Sequence, residues 1–207
     1  MNKTVMIDKI LASEINAPQA AGTAYASANI ALCKYWGKRN LALNLPVTGS
    51  LSVSLGELGT TTRISIAGED ALVLDGVHLP GEDKIAKRLF GFLDYFRTAE
   101  NYRFSVESES TVPIGAGLAS SASGFAATVL ALKDLFQWEI NNEALSVLAR
   151  MGSGSASRSI YKGFVEWDAG VAEDGMDSVA RSLDVAWPEF RIAVLSVSEA
   201  PKKIGST

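Results

Sequence analysis

The segment 113–124, Pro-Ile-Gly-Ala-Gly-Leu-Ala-Ser-Ser-Ala-Ser-Gly, constrains the fold of this chain more than any other feature. Gly115 and Gly117 lack side chains, so the backbone there can adopt positive φ angles and approach an anion closely. Ser120 and Ser121 fall in the first turn of the apolar segment that follows, where free N–H groups and the helix dipole favour a phosphate. The pattern predicts a phosphate-binding loop that leads into a buried helix, and a plain Gly/Ser turn that starts a helix is the alternative.

The same segment does not match two common nucleotide-binding motifs. A Walker A loop would end in Gly-Lys-Ser/Thr, which is absent. In the dinucleotide pattern Gly-x-Gly-x-x-Gly the third glycine is replaced by Ser120, and the nearest later acid, Asp134, lies inside the predicted helix. The loop therefore favours another class of phosphate site.

Composition limits the classes of protein to consider. The chain has 207 residues, 47% of them hydrophobic, which is enough for one core and part of a second domain. Its net charge of -4 argues against nucleic acid as the main partner. A single cysteine, Cys33, excludes an intramolecular disulfide, and the single histidine, His78, argues against a histidine-based metal site. Neither a signal peptide nor a membrane-spanning run is recognisable, so we expect a cytoplasmic protein without membrane partners.

Apolar periodicity predicts strands and helices in a mixed order. Strands are expected at 23–33, 51–55, 60–66, 71–74, 102–106 and 191–197, and helices at 84–97, 118–136 and 142–151. Asp75-Gly76 is a hairpin signal between two short apolar runs. Because no regular βαβ repeat is present, the pattern favours an α+β fold over a doubly wound sheet.

The same pattern suggests how the chain is divided. We expect a loosely ordered leader over residues 1–21, an N-terminal domain over 22–189, and the first strand and loop of a second domain over 190–207. A loop over 199–207 directly follows the predicted strand and ends the sequence, and a strand with no following partner is an unusual place for a domain to end. We therefore expect this chain to be the front part of a longer protein.

Residues 28–39 combine cations with aromatic side chains. If this segment is extended, Lys34, Trp36 and Lys38 share one face. The two lysines beside Tyr35 and Trp36 would then form a cationic pocket with an apolar wall, suited to a phosphorylated ligand with a small carbon skeleton. A basic strand end whose aromatic residues belong to the core accounts for the pattern equally well.

A second glycine-rich segment, 152–158, carries serines and an arginine. The hydroxyl groups, the backbone N–H groups and the planar guanidinium of Arg158 can surround a phosphate or a carboxylate. A flexible linker is the alternative, but apolar residues follow at once and indicate a loop held between folded elements. Together, the three segments predict one site that holds ATP phosphates on one side and a phosphorylated substrate on the other, as phosphoryl transfer requires.

These motifs resemble the mevalonate diphosphate decarboxylase family of the GHMP kinase superfamily. The matching segments are Lys34-Tyr-Trp-Gly-Lys38, Asn44-Leu-Pro46, 116–122, 152–155 with Arg158, and 172–175 with 177–178. The resemblance implies a GHMP-kinase-like N-terminal domain, with a mixed β-sheet packed on helices and only the start of a second α+β domain. It also implies that ATP and Mg²⁺ are used to phosphorylate the 3-hydroxyl of mevalonate 5-diphosphate, which then loses phosphate and CO₂ to give isopentenyl diphosphate in isoprenoid biosynthesis. A homodimer is common in the family.

The resemblance further implies roles for individual residues. Lys34 would neutralise charge near the transferred phosphoryl group, and Asn29 would orient Arg158. The substrate's diphosphate and carboxylate would be held by Tyr35, Trp36, Gly37, Lys38, Lys84, Ser153, Gly154, Ser155, Ala156, Ser157, Arg158 and Thr207. The ATP phosphates would be held by Gly115, Ala116, Gly117, Leu118, Ala119, Ser120 and Ser121, with Ser120 and Ser121 also as ligands of Mg²⁺.

The chain departs from the family pattern at several positions. Ser157 stands where the family usually has cysteine, and Lys162 where it usually has glycine. The family's catalytic aspartate lies in its second half, so we expect it beyond residue 207 and absent from this chain. Alternative functions are a related mevalonate or phosphomevalonate kinase, a phosphomevalonate decarboxylase, or a non-catalytic fragment that binds a phosphorylated ligand.

Overall fold

A computed structural model describes residues 2–14, 16–97, 102–112 and 120–193 of the chain. Its strands are β1 (Gly22–Cys33), β2 (Lys38–Asn40), β3 (Leu45–Pro46), β4 (Ser50–Ala67), β5 (Ala71–Leu74), β6 (Val77–Leu79), β7 (Arg103–Ser110), β8 (Phe164–Trp167) and β9 (Ala180–Ser182). Its α-helices are α1 (Lys3–Ile10), α2 (Lys84–Leu93), α3 (Ser120–Phe136) and α4 (Asn142–Gly152), and two 3₁₀ helices cover Asp94–Phe96 and Gly154–Ile160.

The long strand β4 organises the main sheet, whose order is β6-β5-β7-β4-β8-β9. One edge of β4 pairs antiparallel with β1, while the other pairs with β8 near its start and with β7 near its end. The sequence predicted two separate strands here, 51–55 and 60–66, and that division is wrong. Gly56 lies between them with a φ of 62°, and the register with β1 shifts between Ser27 and Asn29. The glycine therefore allows a bulge within one continuous strand.

Helix α3 packs against β1 and β4 and forms the centre of the core. Its sequence is apolar almost all round, and Ala126, Leu132 and Leu135 are fully buried. Full burial of a leucine side chain contributes about 1.5–3 kcal/mol, so this helix is a main source of stability. The predicted central helix is confirmed from Ser120 onward, and residues 118–119 lie outside the described residues. The mixed sheet packed on helices confirms the predicted α+β fold.

Most of the remaining elements follow the sequence pattern. The Asp75-Gly76 hairpin is confirmed, with positive φ angles of 50° and 77° at its two turn residues. The helix predicted over 84–97 ends at Leu93 and continues as a 3₁₀ turn. Strands β2, β3, β8 and β9 were not predicted, and each has four residues or fewer. Residues 191–193 of the predicted 191–197 strand are not in a strand, and the rest of it lies outside the described residues.

The prediction of a loosely ordered leader is wrong over Lys3–Ile10, because these residues form helix α1. Asn2 caps this helix by accepting a hydrogen bond from the Val5 N–H, and Met6 and Ile7 are buried in the core. The apolar residues at helical spacing after a capping asparagine were a usable signal for this helix. The boundary expected at residues 189–190 stays a prediction. Within the described part of the chain, no helix has both the length and the apolarity needed to cross a membrane.

Candidate functional site

The glycine-rich segment 152–158 is a folded turn and not a linker. Helix α4 ends at Gly152, Ser153 is extended, and a 3₁₀ helix begins at Gly154. Gly154 leaves little room for a side chain, since a Cβ there would lie 3.1 Å from both the Tyr35 hydroxyl and the Trp167 ring. The turn is therefore packed directly against these two aromatic residues.

Only part of this turn is open to a ligand. Ser153 and Ser155 are partly exposed, and their hydroxyl oxygens lie 3.4 Å apart. Gly154, Ala156 and Ser157 are buried, and the Ser157 hydroxyl donates to the Gly154 carbonyl at 2.8 Å. The sequence had grouped all five as substrate-binding residues. In the structure the two partly exposed serines can reach a ligand, and the other three shape the turn.

Arg158 is a cation held almost completely out of water, with 2% of its surface exposed. Its guanidinium donates to the Ser50 hydroxyl at 2.5 Å and to the Asn29 side-chain oxygen at 3.2 Å, and it lies over the Trp167 ring. Burial lowers its pKa to about 10, so it stays charged at neutral pH. Among the described residues no carboxylate pairs with it. Because a buried unpaired charge is costly, this site favours an anionic ligand.

Asn29, on β1, fixes the position of this arginine. While its side-chain oxygen accepts from Arg158, its NH₂ group donates to the Ser159 hydroxyl at 2.8 Å and to the Ser155 carbonyl at 3.2 Å. Both ends of the amide are thus occupied, which sets its orientation. The expected contact between Asn29 and Arg158 is present, and its part in a reaction stays a prediction.

The segment from Lys34 to Lys38 is not a continuous strand, so the condition for placing Lys34, Trp36 and Lys38 on one face is not met. Strand β1 ends at Cys33, and Gly37 turns the chain with a φ of 67°. Trp36 is 74% exposed and forms no wall, whereas Tyr35 packs edge-on against Trp167 with ring centroids 5.0 Å apart. Tyr35 thus packs against the buried Trp167, and Lys34 is exposed just after the end of the strand.

A short chain of hydrogen bonds joins this segment to the serine turn. The Lys38 ammonium donates to the Asn44 side-chain oxygen at 2.9 Å. The Asn44 NH₂ group donates in turn to the carbonyls of Arg150 and Met151, at 2.9 and 3.3 Å, in the last turn of α4. Two of the three predicted anion-binding segments thus lie together.

The third segment is described only from Ser120 onward, and Gly115–Ala119 lie outside the described residues. Ser120 and Ser121 open α3, whose first turn is anchored to β4 by a 2.7 Å hydrogen bond between the hydroxyls of Ser123 and Thr60. Hydroxyl oxygens are hard ligands that suit Mg²⁺ when phosphates supply other oxygens, so these two serines fit a metal bound with a nucleotide. Among the described residues no group of three or more His, Cys, Asp or Glu could hold a metal ion.

Two expected substrate contacts, Lys84 and Thr207, stay predictions. Lys84 is exposed at the first residue of α2, and Thr207 lies outside the described residues. From the same helix Arg88, one turn further on, donates to the Gly152 carbonyl at 3.1 Å. Sequence reasoning missed Arg88, together with Ser50 and Trp167, since only the tertiary fold brings them to this turn.

The motif at 172–178 forms a folded loop that contacts the Trp167 ring next to the site. The Asp177 carboxylate accepts from the N–H groups of Val171 and Ala172, at 2.7 and 2.9 Å, which lowers its pKa. Ser178 accepts from the Trp167 indole N–H at 3.1 Å. This folded loop therefore fixes the ring against which Tyr35 and Arg158 pack.

Arg150 holds the same loop against α4. Its fully buried guanidinium donates to the carbonyls of Gly175, at 2.9 Å, and Ser178. Burial lowers the pKa of Arg150 to about 10, so it too is charged at neutral pH. At Gly175, whose φ is 68°, an added Cβ would collide with the Leu45 side chain and lie 3.1 Å from the guanidinium.

Comparison with known proteins gives consistent matches. The family described as diphosphomevalonate decarboxylase-like N-terminal domain matches residues 26–180. Diphosphomevalonate decarboxylase mvd1 from Aspergillus fumigatus is 42% identical, over 89% of this chain and 51% of its own length. The crystal structure of mevalonate diphosphate decarboxylase from Staphylococcus aureus superposes with a TM-score of 0.73 at 38% identity, over 80% of this chain and 50% of that one.

A further solved structure, of MDDEF in complex with MVAPP, AMPPCP and magnesium, has a TM-score of 0.69 at 38% identity. The match covers 79% of this chain and 50% of that one. The chain thus spans about half the length of the relatives it matches.

Proposed function

Because the chain belongs to the diphosphomevalonate decarboxylase-like family, we propose that its protein catalyses the ATP-dependent decarboxylation of mevalonate 5-diphosphate. Buried, charged Arg158 is the observation that carries the proposal. It belongs to the same 152–158 turn as the partly exposed Ser153 and Ser155, and it has no carboxylate partner among the described residues. A substrate with one carboxylate and a diphosphate supplies the anion that this arginine lacks.

Each residue then has a physical task. Arg158, oriented by Asn29 and Ser50, binds the substrate's negative charge with two N–H groups in a fixed plane. Ser153 and Ser155 donate hydrogen bonds from their hydroxyls at the surface of the turn. Lys34, exposed just after the end of β1, neutralises charge as the phosphoryl group moves to the 3-hydroxyl. These residues therefore position the substrate and compensate its charge, which are the main contributions to catalysis of phosphoryl transfer.

The family relationship also supports ATP and Mg²⁺ as the cofactors. A relative of this chain has been solved with AMPPCP, an ATP analogue, and magnesium. We assign the nucleotide phosphates to Gly115–Ser121 and the metal to the hydroxyls of Ser120 and Ser121. Bound Mg²⁺ would neutralise charge on the phosphate oxygens and so assist transfer.

The reaction needs a group that this segment does not supply. A tertiary hydroxyl is a poor leaving group, and its phosphate ester leaves readily, so phosphorylation prepares the loss of CO₂. The family resemblance assigns the aspartate near the 3-hydroxyl to the second half of such proteins. We propose that residues beyond 207 contribute it, which is consistent with relatives about twice as long as the matched region. Cytoplasmic location and a homodimer also stay predictions.

The test is release of labelled CO₂ from carboxyl-labelled mevalonate 5-diphosphate by the protein made from its uninterrupted gene, with ATP and Mg²⁺. CO₂ that depends on ATP supports the proposal. A parallel reaction with mevalonate 5-phosphate separates a phosphomevalonate decarboxylase, which would release CO₂ from that substrate instead. ADP without CO₂ would replace the proposal with a kinase, and no product from either substrate would favour a protein that only binds phosphorylated ligands.

A further inference from the structure

The N-terminal helix α1 brings a cation to the end of α4. The Lys3 ammonium donates to the Met151 carbonyl at 2.9 Å and lies over the Tyr95 ring. Met6 and Ile7 fix the helix in the core, so the position of Lys3 is set by packing. Sequence analysis had assigned this segment to a loosely ordered leader and gave it no function.

Two further cations meet Lys3 at the same helix end. Lys38 reaches the carbonyls of Arg150 and Met151 through Asn44, and Arg88 donates to the Gly152 carbonyl at 3.1 Å. Burial lowers the pKa of Lys3, and the nearby charges of Lys38 and Arg88 lower it further. Within residues 2–14, 16–97, 102–112 and 120–193, none of the three forms an ion pair with a carboxylate.

Stabilisation of the helix end does not account for this cluster. The C-terminus of a helix carries about half an elementary negative charge. One cation offsets that charge, whereas three from separate elements leave a net positive site in which they repel one another. The site directly adjoins Ser153, the first exposed hydroxyl of the 152–158 turn.

We propose that Lys3 is a substrate-binding residue that, with Lys38 and Arg88, holds the substrate's phosphate chain. The identity of the substrate rests on the proposed function. The cation cluster itself is independent of it. A diphosphate carries more negative charge than a monophosphate, so three cations favour the diphosphate.

Calorimetric titration of the protein with inorganic pyrophosphate tests the cluster without turnover. We expect Lys3→Met, which keeps an unbranched side chain, to weaken binding about tenfold at low salt, and Lys3→Arg, which keeps the charge, to stay within about threefold of wild type. Lys9→Met, an exposed lysine of the same helix, is the matched control and should bind like wild type. Thermal unfolding of each variant shows whether the fold is intact.

Several results of the pyrophosphate titration would contradict the proposed role of Lys3, and they can be told apart. Wild-type affinity in Lys3→Met, with or without a lower melting temperature, would leave Lys3 a purely structural residue and overturn the inference. An equal loss of affinity in Lys9→Met would show that any lysine of this helix has the same effect through its charge, and it would overturn the inference. The inference would also be overturned if the wild-type protein did not bind pyrophosphate. If pyrophosphate binding behaves as expected and the protein releases no CO₂, the proposed function fails and the anion site stands. With an active enzyme, Lys3→Met should raise KM more for the diphosphate substrate than for the monophosphate.

Discussion

Two arginines of this protein are equally buried and differ in what holds them. Arg150 and Arg158 expose 0% and 2% of their surface, and burial lowers the pKa of each to about 10. Arg150 donates to backbone carbonyls in the loop after β8, and Arg158 donates to the side chains of Ser50 and Asn29. Burial and pKa are therefore alike for the two arginines, which differ in their oxygen acceptors, and only for Arg158 do we propose a ligand.

The largest effect is expected on stability, at Arg150. Arg150→Met removes the two hydrogen bonds that a buried cation donates to the Gly175 and Ser178 carbonyls, which costs about 3–5 kcal/mol, or a fall of about 10 °C in melting temperature. Thermal unfolding measures this change. Arg181→Met, which removes an exposed arginine paired with Glu143, is the control and should change stability by less than about 0.5 kcal/mol. A stable Arg150→Met variant that has lost substrate binding would reverse the roles of the two arginines.

Arg158 is expected to affect function more than stability. Arg158→Lys keeps the charge but loses the planar pair of donors, so kcat/KM for mevalonate 5-diphosphate should fall about 100-fold, while the affinity for ATP changes little. Steady-state kinetics with each substrate varied in turn measures both. Equal losses for ATP and for the diphosphate would remove Arg158 from the substrate site.

A smaller loss is expected when one support of Arg158 is removed. Ser50→Ala deletes the hydroxyl that accepts from the guanidinium, so kcat/KM should fall about tenfold through a higher KM. Ser52→Ala is a close control on the same strand, because the buried Ser52 hydroxyl has no hydrogen-bond partner among the described residues. The contrast fails if the two alanine variants have the same kinetics.

The smallest effect concerns pH and the loop that Arg150 holds. Hydrogen bonds from Ala172 and Val171 lower the pKa of Asp177, so the folded state binds fewer protons at this site than the unfolded state. Its contribution to stability is present above the ordinary aspartate pKa and is lost as the pH falls through the lowered value. Asp177→Asn should lower the melting temperature by about 3 °C at pH 7 and by less at pH 3. An equal loss at both pH values would show that the charge contributes nothing.

The sequence predicted most of the elements that have a regular apolar pattern. Helix α3 and strands β1, β5 and β7 were recognisable because local periodicity fixes which face is buried. Helix α1 was missed because it has only eight residues, and β4 was divided because Gly56 interrupts its pattern.

For the candidate site, the sequence predicted which types of residue are present but not how they are arranged in space. The motifs pointed to the matched family, which the comparisons confirm, and they named Asn29, Lys38 and Arg158. Ser50, Arg88 and Trp167 could not be assigned, since their contacts join positions far apart in the chain. Trp36 was expected in an aromatic wall and is exposed, because the turn at Gly37 leaves its ring outside the core.

Simultaneous measurement of CO₂ and ADP is the most direct test of the proposed function. Carboxyl-labelled mevalonate 5-diphosphate would be supplied with ATP and Mg²⁺ to the protein made from its uninterrupted gene. The proposed function predicts that the two products appear in equal amounts, and that Arg158→Lys slows both together. ADP released without CO₂ would contradict it and identify a kinase of the same fold.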